Sequence, residues 1–382
     1  MNTSGRAAHL VTGATGFVGG AIVLELLERT SDDVLCLVRA DCEQDGQARL
    51  VSTLTRAALA YDRLDLVDAI GARCRAVIGD IRRPRCGLEM APCPELDVRH
   101  IWHAAASLKY EDRHATEVTA ANVDGTRHVI ELATALGSPV LTHISTAYVA
   151  GTDTGEIPEL LRDGTSHTNN VYEQTKVLAE RAVAEWSGPW QIVRPSVVVG
   201  HSLTGGSTSS FGLYGAAAAV LAFKRTVERR LGSLLNHRGV PVVADPNIEM
   251  NLIPIDTVAT NTVTIGLTGP RGIAYHVTNA AAPPLGTVML EVFRWAGLAA
   301  PRFVPDRRHL NGIDEKFDEY CQFYLSYVVN GKRFDRTNTD VVCGADASHR
   351  PMDAATVRWH LDTYQASRPL GRGRARILKE AG

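Results

Sequence analysis

The sequence has no long hydrophobic run: none of its windows reaches the roughly 18 consecutive apolar residues that a membrane-spanning helix requires. The nearest, GAAAAVLAF from Gly215 to Phe223, is short, weakly hydrophobic and followed by Lys224 and Arg225; it could touch a membrane but not cross one. An excess of either charge is missing too. Lys and Arg number 40 against 42 Asp and Glu, for a formal charge of -2 and a pI near 6.7, which gives no electrostatic case for a nucleic-acid partner. The seven cysteines, at 36, 42, 74, 86, 93, 321 and 343, are odd in number and form no C-x-x-C pair. Neither a disulfide framework nor a zinc site is supported, and a reducing cytoplasm is the expected setting. The opening, MNTSGRAAHLVTG, runs almost directly into a glycine motif and leaves no room for a signal peptide, so none is expected.

What is present is ordinary globular material, 45% hydrophobic and 21% charged, over 382 residues, too long for one small core. Over the first 200 residues, apolar runs of strand length alternate with helical patterns. HLVTG (9 to 13), VLCLV (34 to 38), RAVIG (75 to 79), HIWHA (100 to 104), VLTHIS (140 to 145) and WQIVRPSVVVG (190 to 200) read as buried strands. FVGGAIVLELLERT (17 to 30), DGTRHVIELATAL (124 to 136) and VYEQTKVLAERAVAEW (171 to 186) read as helices. Unbroken apolar strands separated by helices imply an α/β fold, a Rossmann-like doubly wound parallel sheet covered on both faces. After Gly200 the rhythm breaks into the loop HSLTGGSTSS and an Ala-rich helix running into KRTVERRLGSLL. The expected division is a dinucleotide-binding domain over residues 1–205 with a return segment near 248–275, and a smaller, mainly helical substrate-binding cap with the C-terminal region over 206–247 and 276–382. The basic end, RPLGRGRARILK, is expected to fray.

TGATGFVGG sits at the first strand-to-helix turn. Glycines there allow a tight turn and close approach of a pyrophosphate, whose charge the helix N-terminus stabilises. Gly13, Thr15, Gly16, Phe17, Val18 and Gly19 are the expected contacts. The second strand ends in Arg39 where an acidic residue would bind ribose hydroxyls and repel a 2′-phosphate; an arginine pairs with that phosphate, which favours NADPH (NADP) over NADH, unless Thr12 or Thr15 decides the matter. Asp80 and Ile81 follow the third strand, where a carboxylate can accept from the adenine amino group. Ala104, Ala105 and Ala106 follow the fourth, where small side chains let a cofactor lie on the backbone.

Tyr172 and Lys176 stand four apart on one helix face, so the lysine can approach both the phenol and a nicotinamide ribose. A nearby ammonium is expected to lower the phenol pKa from about 10, and such a phenol passes protons to and from a carbonyl oxygen. A hydroxyl at the end of the fifth strand, Ser145 or Thr146, would orient that oxygen. Asn122 either holds the helix near the site or caps a helix.

TGATGFVG, HAAA, NVDGT (122 to 126), ISTAYVAG (144 to 151), Tyr172 with Lys176, and RPSVVVG (194 to 200) together resemble the extended short-chain dehydrogenase/reductase superfamily. The resemblance implies catalysis by Thr146, Tyr172 and Lys176, with Thr146 aligned to the superfamily's second hydroxyl, and cofactor contacts from Lys109, Asn122, Pro195, Ser196 and Val197. Further stretches resemble fatty acyl-CoA reductases and the thioester reductase domains of carboxylic acid reductases and peptide synthetases: CLVRADCEQDGQARL, HAAASLKYEDRHATEVTAANVDGTRHVIELA, NLIPIDTVA and YLSYVVNGKRFDRTNT. That implies NADPH-dependent reduction of an activated acyl thioester to an aldehyde, and with a second hydride to an alcohol. The substrate would arrive as a coenzyme A ester or on an acyl or peptidyl carrier protein. The segment from Phe211 to Leu235 fits an acyl-reading cap: its small apolar residues suit a chain tunnel, while Lys224, Arg225, Arg229 and Arg230 suit the phosphates of coenzyme A or an acidic carrier. The alternatives are a dehydrogenase, epimerase or dehydratase acting on a nucleotide sugar, ketone or hydroxysteroid, and an NADP-binding redox sensor. Arg39 argues against an epimerase that retains NAD, and the intact Tyr172 and Lys176 argue against the sensor.

Overall fold

A computed structural model of the protein describes residues 6–88, 96–163, 167–326 and 331–367. Cys93, residues 327 to 330 of the YLSYVVNGKRFDRTNT stretch, and the basic end from 368 onward lie outside the described residues.

The chain first lays down β1 (Arg6–Thr12), α1 (Phe17–Arg29), β2 (Asp33–Val38), α2 (Glu43–Ala60), α3 (Val67–Arg73), β3 (Cys74–Ile78), β4 (Leu96–His103), α4 (Ala115–Thr119), α5 (Gly125–Ala135), β5 (Val140–Ile144), β6 (Gly155–Ile157), α6 (Val171–Ala184), β7 (Trp190–Pro195) and β8 (Val197–Val199). It continues with α7 (Leu213–Leu231), α8 (Leu234–His237), β9 (Pro241–Val243), β10 (Leu252–Pro254), α9 (Ile255–Thr268), β11 (Ile273–Val277), α10 (Leu285–Trp295), β12 (Arg302–Val304), α11 (Gly312–Ser326), β13 (Lys332–Phe334), α12 (Thr337–Cys343) and α13 (Ala354–Ser367).

Seven strands form one parallel sheet in the order β11-β7-β5-β4-β1-β2-β3. The chain order reverses direction between β1 and β4, which opens the crevice at the strands' carboxyl ends where ligands of such sheets bind. Strand composition explains the burial: every residue of β2 is buried, as a strand covered by helices on both faces requires. Helix α1 buries eight residues, from Gly19 to Leu27, against the sheet and α9. Helix α2 is absent from the helices expected above, yet its buried Leu50, Leu54, Ala57 and Ala58 follow helical spacing.

The run WQIVRPSVVVG is two strands rather than the single one expected. β7 ends at Pro195; Ser196 then bonds Asn251 Oδ1 at 2.6 Å, and β8 leaves the sheet to pair with β10. That turn carries Pro195 to Val198 across the carboxyl end of the sheet. Two observations bear on the expected division of the chain. β11 joins the main sheet through Val277, past the expected return segment, and α12 packs on α9 and β11 rather than on the cap. Glu159 ties this tail down, accepting from His276 N at 2.6 Å and Thr339 Oγ1 at 2.8 Å.

A second apolar cluster unites α7, α10, α11 and α13 through Phe223, Phe293, Phe317 and Leu361. Between the two layers, α6 is held to β7 by a fully buried pair, Arg194 to Glu180, at 2.6 Å. Removing one partner of such a pair leaves an uncompensated buried charge and costs about 3–5 kcal/mol.

Candidate active site

A cavity of about 290 Å³ opens at the carboxyl ends of β1, β4 and β5. One wall is the glycine turn. Gly13 adopts φ +76, and a Cβ there would stand 2.7 Å from Ala105 N; a Cβ on Gly19 would stand 2.2 Å from Gly13 O. Only glycine permits this folding of the turn upon itself. The N-cap of α1, Gly16, carries no side-chain cap, so the first-turn amides face outward with the positive end of the helix dipole. A cradle of this chemistry fits a dinucleotide pyrophosphate. Gly13, Gly16, Phe17, Val18, Gly19, Ala104 and Ala106 all line the cavity, as do Pro195, Ser196 and Val197.

Behind this wall runs a polar ladder that sequence reasoning missed. Thr126 Oγ1 donates to Asn122 O at 2.6 Å, so the His103 Nε2 that meets the same hydroxyl at 3.0 Å carries a proton. His103 Nδ1 then accepts from Thr12 Oγ1 at 2.7 Å, and Thr12 Oγ1 accepts from Ala105 N at 3.3 Å. Burial pushes His103 down to about 3, consistent with this neutral ring. Asn122 lies inside a π-helical turn, Ala120–Asp124, rather than at a helix cap. Its side chain donates to Ser107 O and to Thr175 Oγ1 at 3.0 Å, and Thr175 donates to Tyr172 O. Asn122 therefore joins the loop after β4 to the turn of α6 that carries Tyr172. The signal available in the sequence was the histidine that opens HAAA.

Ser145, Thr146, Tyr172 and Lys176 meet in the same cavity. Thr146 Oγ1 accepts from Tyr148 N at 3.2 Å, which leaves its proton free to donate; Ser145 Oγ is buried without a partner among the described residues. The Asn170 side chain caps α6 by accepting from Glu173 N at 3.0 Å, and the Glu173 carboxylate accepts from Asn169 N at 2.7 Å. Lys176, 2% exposed, donates to Ile144 O at 2.7 Å and contacts His143 Nε2 at 3.2 Å. The expected tuning of the phenol by this ammonium is not what the geometry gives. Burial, and secondarily the neighbouring Glu173, push Tyr172 upward, so it is a neutral phenol throughout the working pH range. Burial lowers Lys176 to about 8, which still leaves it protonated at neutral pH.

Other expected contacts lie outside this cavity. Arg39 is exposed beyond β2, and its charge helps hold down the nearby Asp80. Asp80 itself is engaged by Arg82 at 2.6 Å, which keeps its carboxyl below the usual range. Ile81 packs toward Gly125 on α5, and Lys109 pairs with Glu117 at 2.7 Å. Thr15 is half-buried in the glycine loop, and Ala105 faces Gly13 through its backbone.

The opposite wall comprises Ser209, Phe211, Gly212, Met250 and Tyr324. The alanine run of α7, expected to form a tunnel, does not line it. Leu213, Ala217, Val220 and Phe223 form the buried stripe of α7 at helical spacing and pack into the cap core. Lys224, expected to meet phosphates, instead donates to Ala296 O at 2.8 Å and Gly297 O at 3.1 Å, tying α7 to the end of α10. Arg225, Arg229 and Arg230 remain exposed.

Comparisons with known proteins agree with this geometry. A family model described as male sterility protein, an NAD-binding domain, matches residues 11–262. The isonitrile lipopeptide synthase of Streptomyces coeruleorubidus is 30% identical over 75% of this chain and 18% of its own length. The Drosophila melanogaster protein named "Putative fatty acyl-CoA reductase CG8306" is 29% identical over 82% of this chain and 62% of its own length. The solved terminal R domain of the myxalamid PKS-NRPS pathway superposes with a TM-score of 0.73 at 25% identity, covering 95% of this chain and 90% of that one. The chain thus spans less than two thirds of either curated relative.

Proposed function

Because this chain belongs to the male sterility protein family of NAD-binding domains, we propose that it is an NADPH-dependent reductase of activated acyl thioesters, with Tyr172, Lys176 and Thr146 as its catalytic groups. A reduced nicotinamide nucleotide, when held along the glycine turn, would supply the hydride for the thioester carbonyl carbon. Gly13, Gly16, Gly19 and the first turn of α1 would hold its pyrophosphate, and Arg39, in place of an acidic residue after β2, would favour the 2′-phosphate.

The single observation that carries the reading is the meeting of a half-buried neutral phenol, a buried ammonium and a donating threonine in one cavity at the end of β5. Thr146 has its acceptor side fixed by Tyr148 N, so its proton is directed to the substrate oxygen. Tyr172 donates to the same oxygen as negative charge develops on it, the preorganised stabilisation such a step needs. When the tetrahedral species collapses, the carbon–sulfur bond breaks, the sulfur leaves as a thiolate that takes a proton from water, and an aldehyde remains. A second hydride and one proton, passed from Tyr172, would convert the aldehyde to an alcohol.

A thioester needs a carrier. The exposed Arg225, Arg229 and Arg230 on α7 suit an acidic acyl or peptidyl carrier protein or the phosphates of coenzyme A. The relatives named for lipopeptide synthesis and for acyl-CoA reduction support both forms.

The test is a substrate panel. Purified protein is given NADPH or NADH with acyl-CoA esters, carrier-bound thioesters, aldehydes or nucleotide sugars, following nicotinamide oxidation and product identity. Thioester-dependent NADPH loss with release of free thiol is expected; turnover of aldehydes or ketones alone would remove the thioester step.

A further inference from the structure

His143 is a buried titratable group that the mechanism above does not use. It stands on β5, two residues before Ser145, is 1% exposed, and its Nε2 lies 3.2 Å from Lys176 Nζ. An ammonium has donors and no acceptor, so a protonated Lys176 requires this Nε2 to accept and the ring proton to sit on Nδ1. That Nδ1 is buried without a partner among the described residues. A buried donor left unsatisfied is costly, so the ring is placed at a sacrifice that only its other nitrogen offsets.

The surroundings permit no charged ring. His103 packs on the other side, with ring centroids 5.1 Å apart, and its own nitrogens are committed to Thr12 and Thr126. Burial, then Lys176, then His103 hold His143 well below the usual imidazole range. Ser145, Thr146 and Tyr172 share the cavity with Lys176, and on its own helix Glu180 stands one turn later and favours the ammonium, although its carboxylate is also bonded by Arg194.

We propose that His143 is a positioning residue for Lys176: its neutral Nε2, together with the Ile144 carbonyl, fixes the ammonium on the cavity side of α6 and keeps it protonated in a buried setting. The inference rests on Lys176 being functional, as proposed above. Without this acceptor the ammonium loses one of its two recorded partners while remaining buried, which favours the neutral amine and moves the loss of activity to lower pH.

The experiment compares His143→Gln, whose amide oxygen reaches the Nε2 position, with His143→Asn, whose oxygen reaches only the Nδ1 position. Both are neutral and polar, so they burden folding alike, and thermal melts monitor this. Read-outs are the pH profile of kcat and NADPH binding by fluorescence titration across pH. With the Gln variant, the basic limb is expected to stay at the wild-type position. With Asn, it is expected to move down by about one pH unit, with kcat falling about fivefold at pH 8 and KM for the thioester within about twofold. NADPH binding by the Asn variant should weaken along the same shifted pH curve. Equal profiles for the two variants, or a Gln profile as displaced as that of Asn, overturn the proposal. Lys176→Ala separates the two claims. If that variant turns over normally, the catalytic reading fails; if it is inactive while the Asn profile is unmoved, only the role of His143 fails.

Discussion

Across one cavity, Lys176 is 2% exposed and bonded twice, while Phe211 is 48% exposed on the loop before α7. The sheet-side wall is built of backbone turns and a continuous polar ladder from Thr12 through His103, Thr126, Asn122 and Thr175 to Tyr172. The cap-side wall is built mainly of bulky side chains such as Phe211, Met250 and Tyr324, and the neighbouring helix α7 is held by side-chain packing and by Lys224 on the end of α10. The difference teaches a division of labour. Groups that need positions good to a few tenths of an ångström stand on strand ends and cross-bonded helices, where hydrogen bonds hold them. Groups that accept an acyl chain need only area and shape, and a looser apolar wall supplies them.

Substitutions on the two sides should therefore differ in kind as well as size. Tyr172→Phe removes the donor while keeping the ring, so kcat should fall about a thousandfold with NADPH affinity within about twofold; steady-state kinetics beside fluorescence binding check both. A Tyr172→Phe protein that kept its turnover would erase the distinction between the walls. Gly13→Ala puts a Cβ 2.7 Å from Ala105 N at φ +76, so NADPH affinity should drop about a hundredfold and the melting temperature should fall. Arg39→Glu should weaken NADPH about tenfold while sparing NADH, measured as the ratio of the two kcat/KM values. The smallest effect belongs to the cap: Phe211→Ala should raise KM for apolar acyl thioesters about threefold and leave kcat nearly unchanged. A larger effect on kcat than on KM would mean that the cap wall also orients the reacting carbonyl.

The sheet was legible because its strands are short continuous apolar runs with helical patterns between them, and such runs have few alternatives to a covered parallel sheet. The chemical motifs were legible for a similar reason: TGATGFVGG, STAY and Y-x-x-x-K act over a few residues, and their geometry follows from one turn or one helix face. The errors fell where local pattern gives no direction. Nothing local said that Pro195 would end one strand and release β8 to another sheet, nor that Ala217 of α7 would be buried in the cap core while the loop before that helix lines the cavity. Lys224 reads as a ligand contact from its charge, yet it is satisfied by the end of α10, a neighbour the sequence does not single out.

By itself the sequence determined the Rossmann-like order of elements, the glycine turn and the placing of Tyr172 and Lys176 on one face of a helix, because all of these are set by contacts within a turn or by the period of an element. Only the tertiary structure decided what holds them. The ammonium of Lys176 is fixed by residues 32 and 33 positions away, and Asn122 reaches Thr175 across 53. Whether a half-buried phenol is raised or lowered depends on which of these distant groups arrive beside it, and on how much water they exclude.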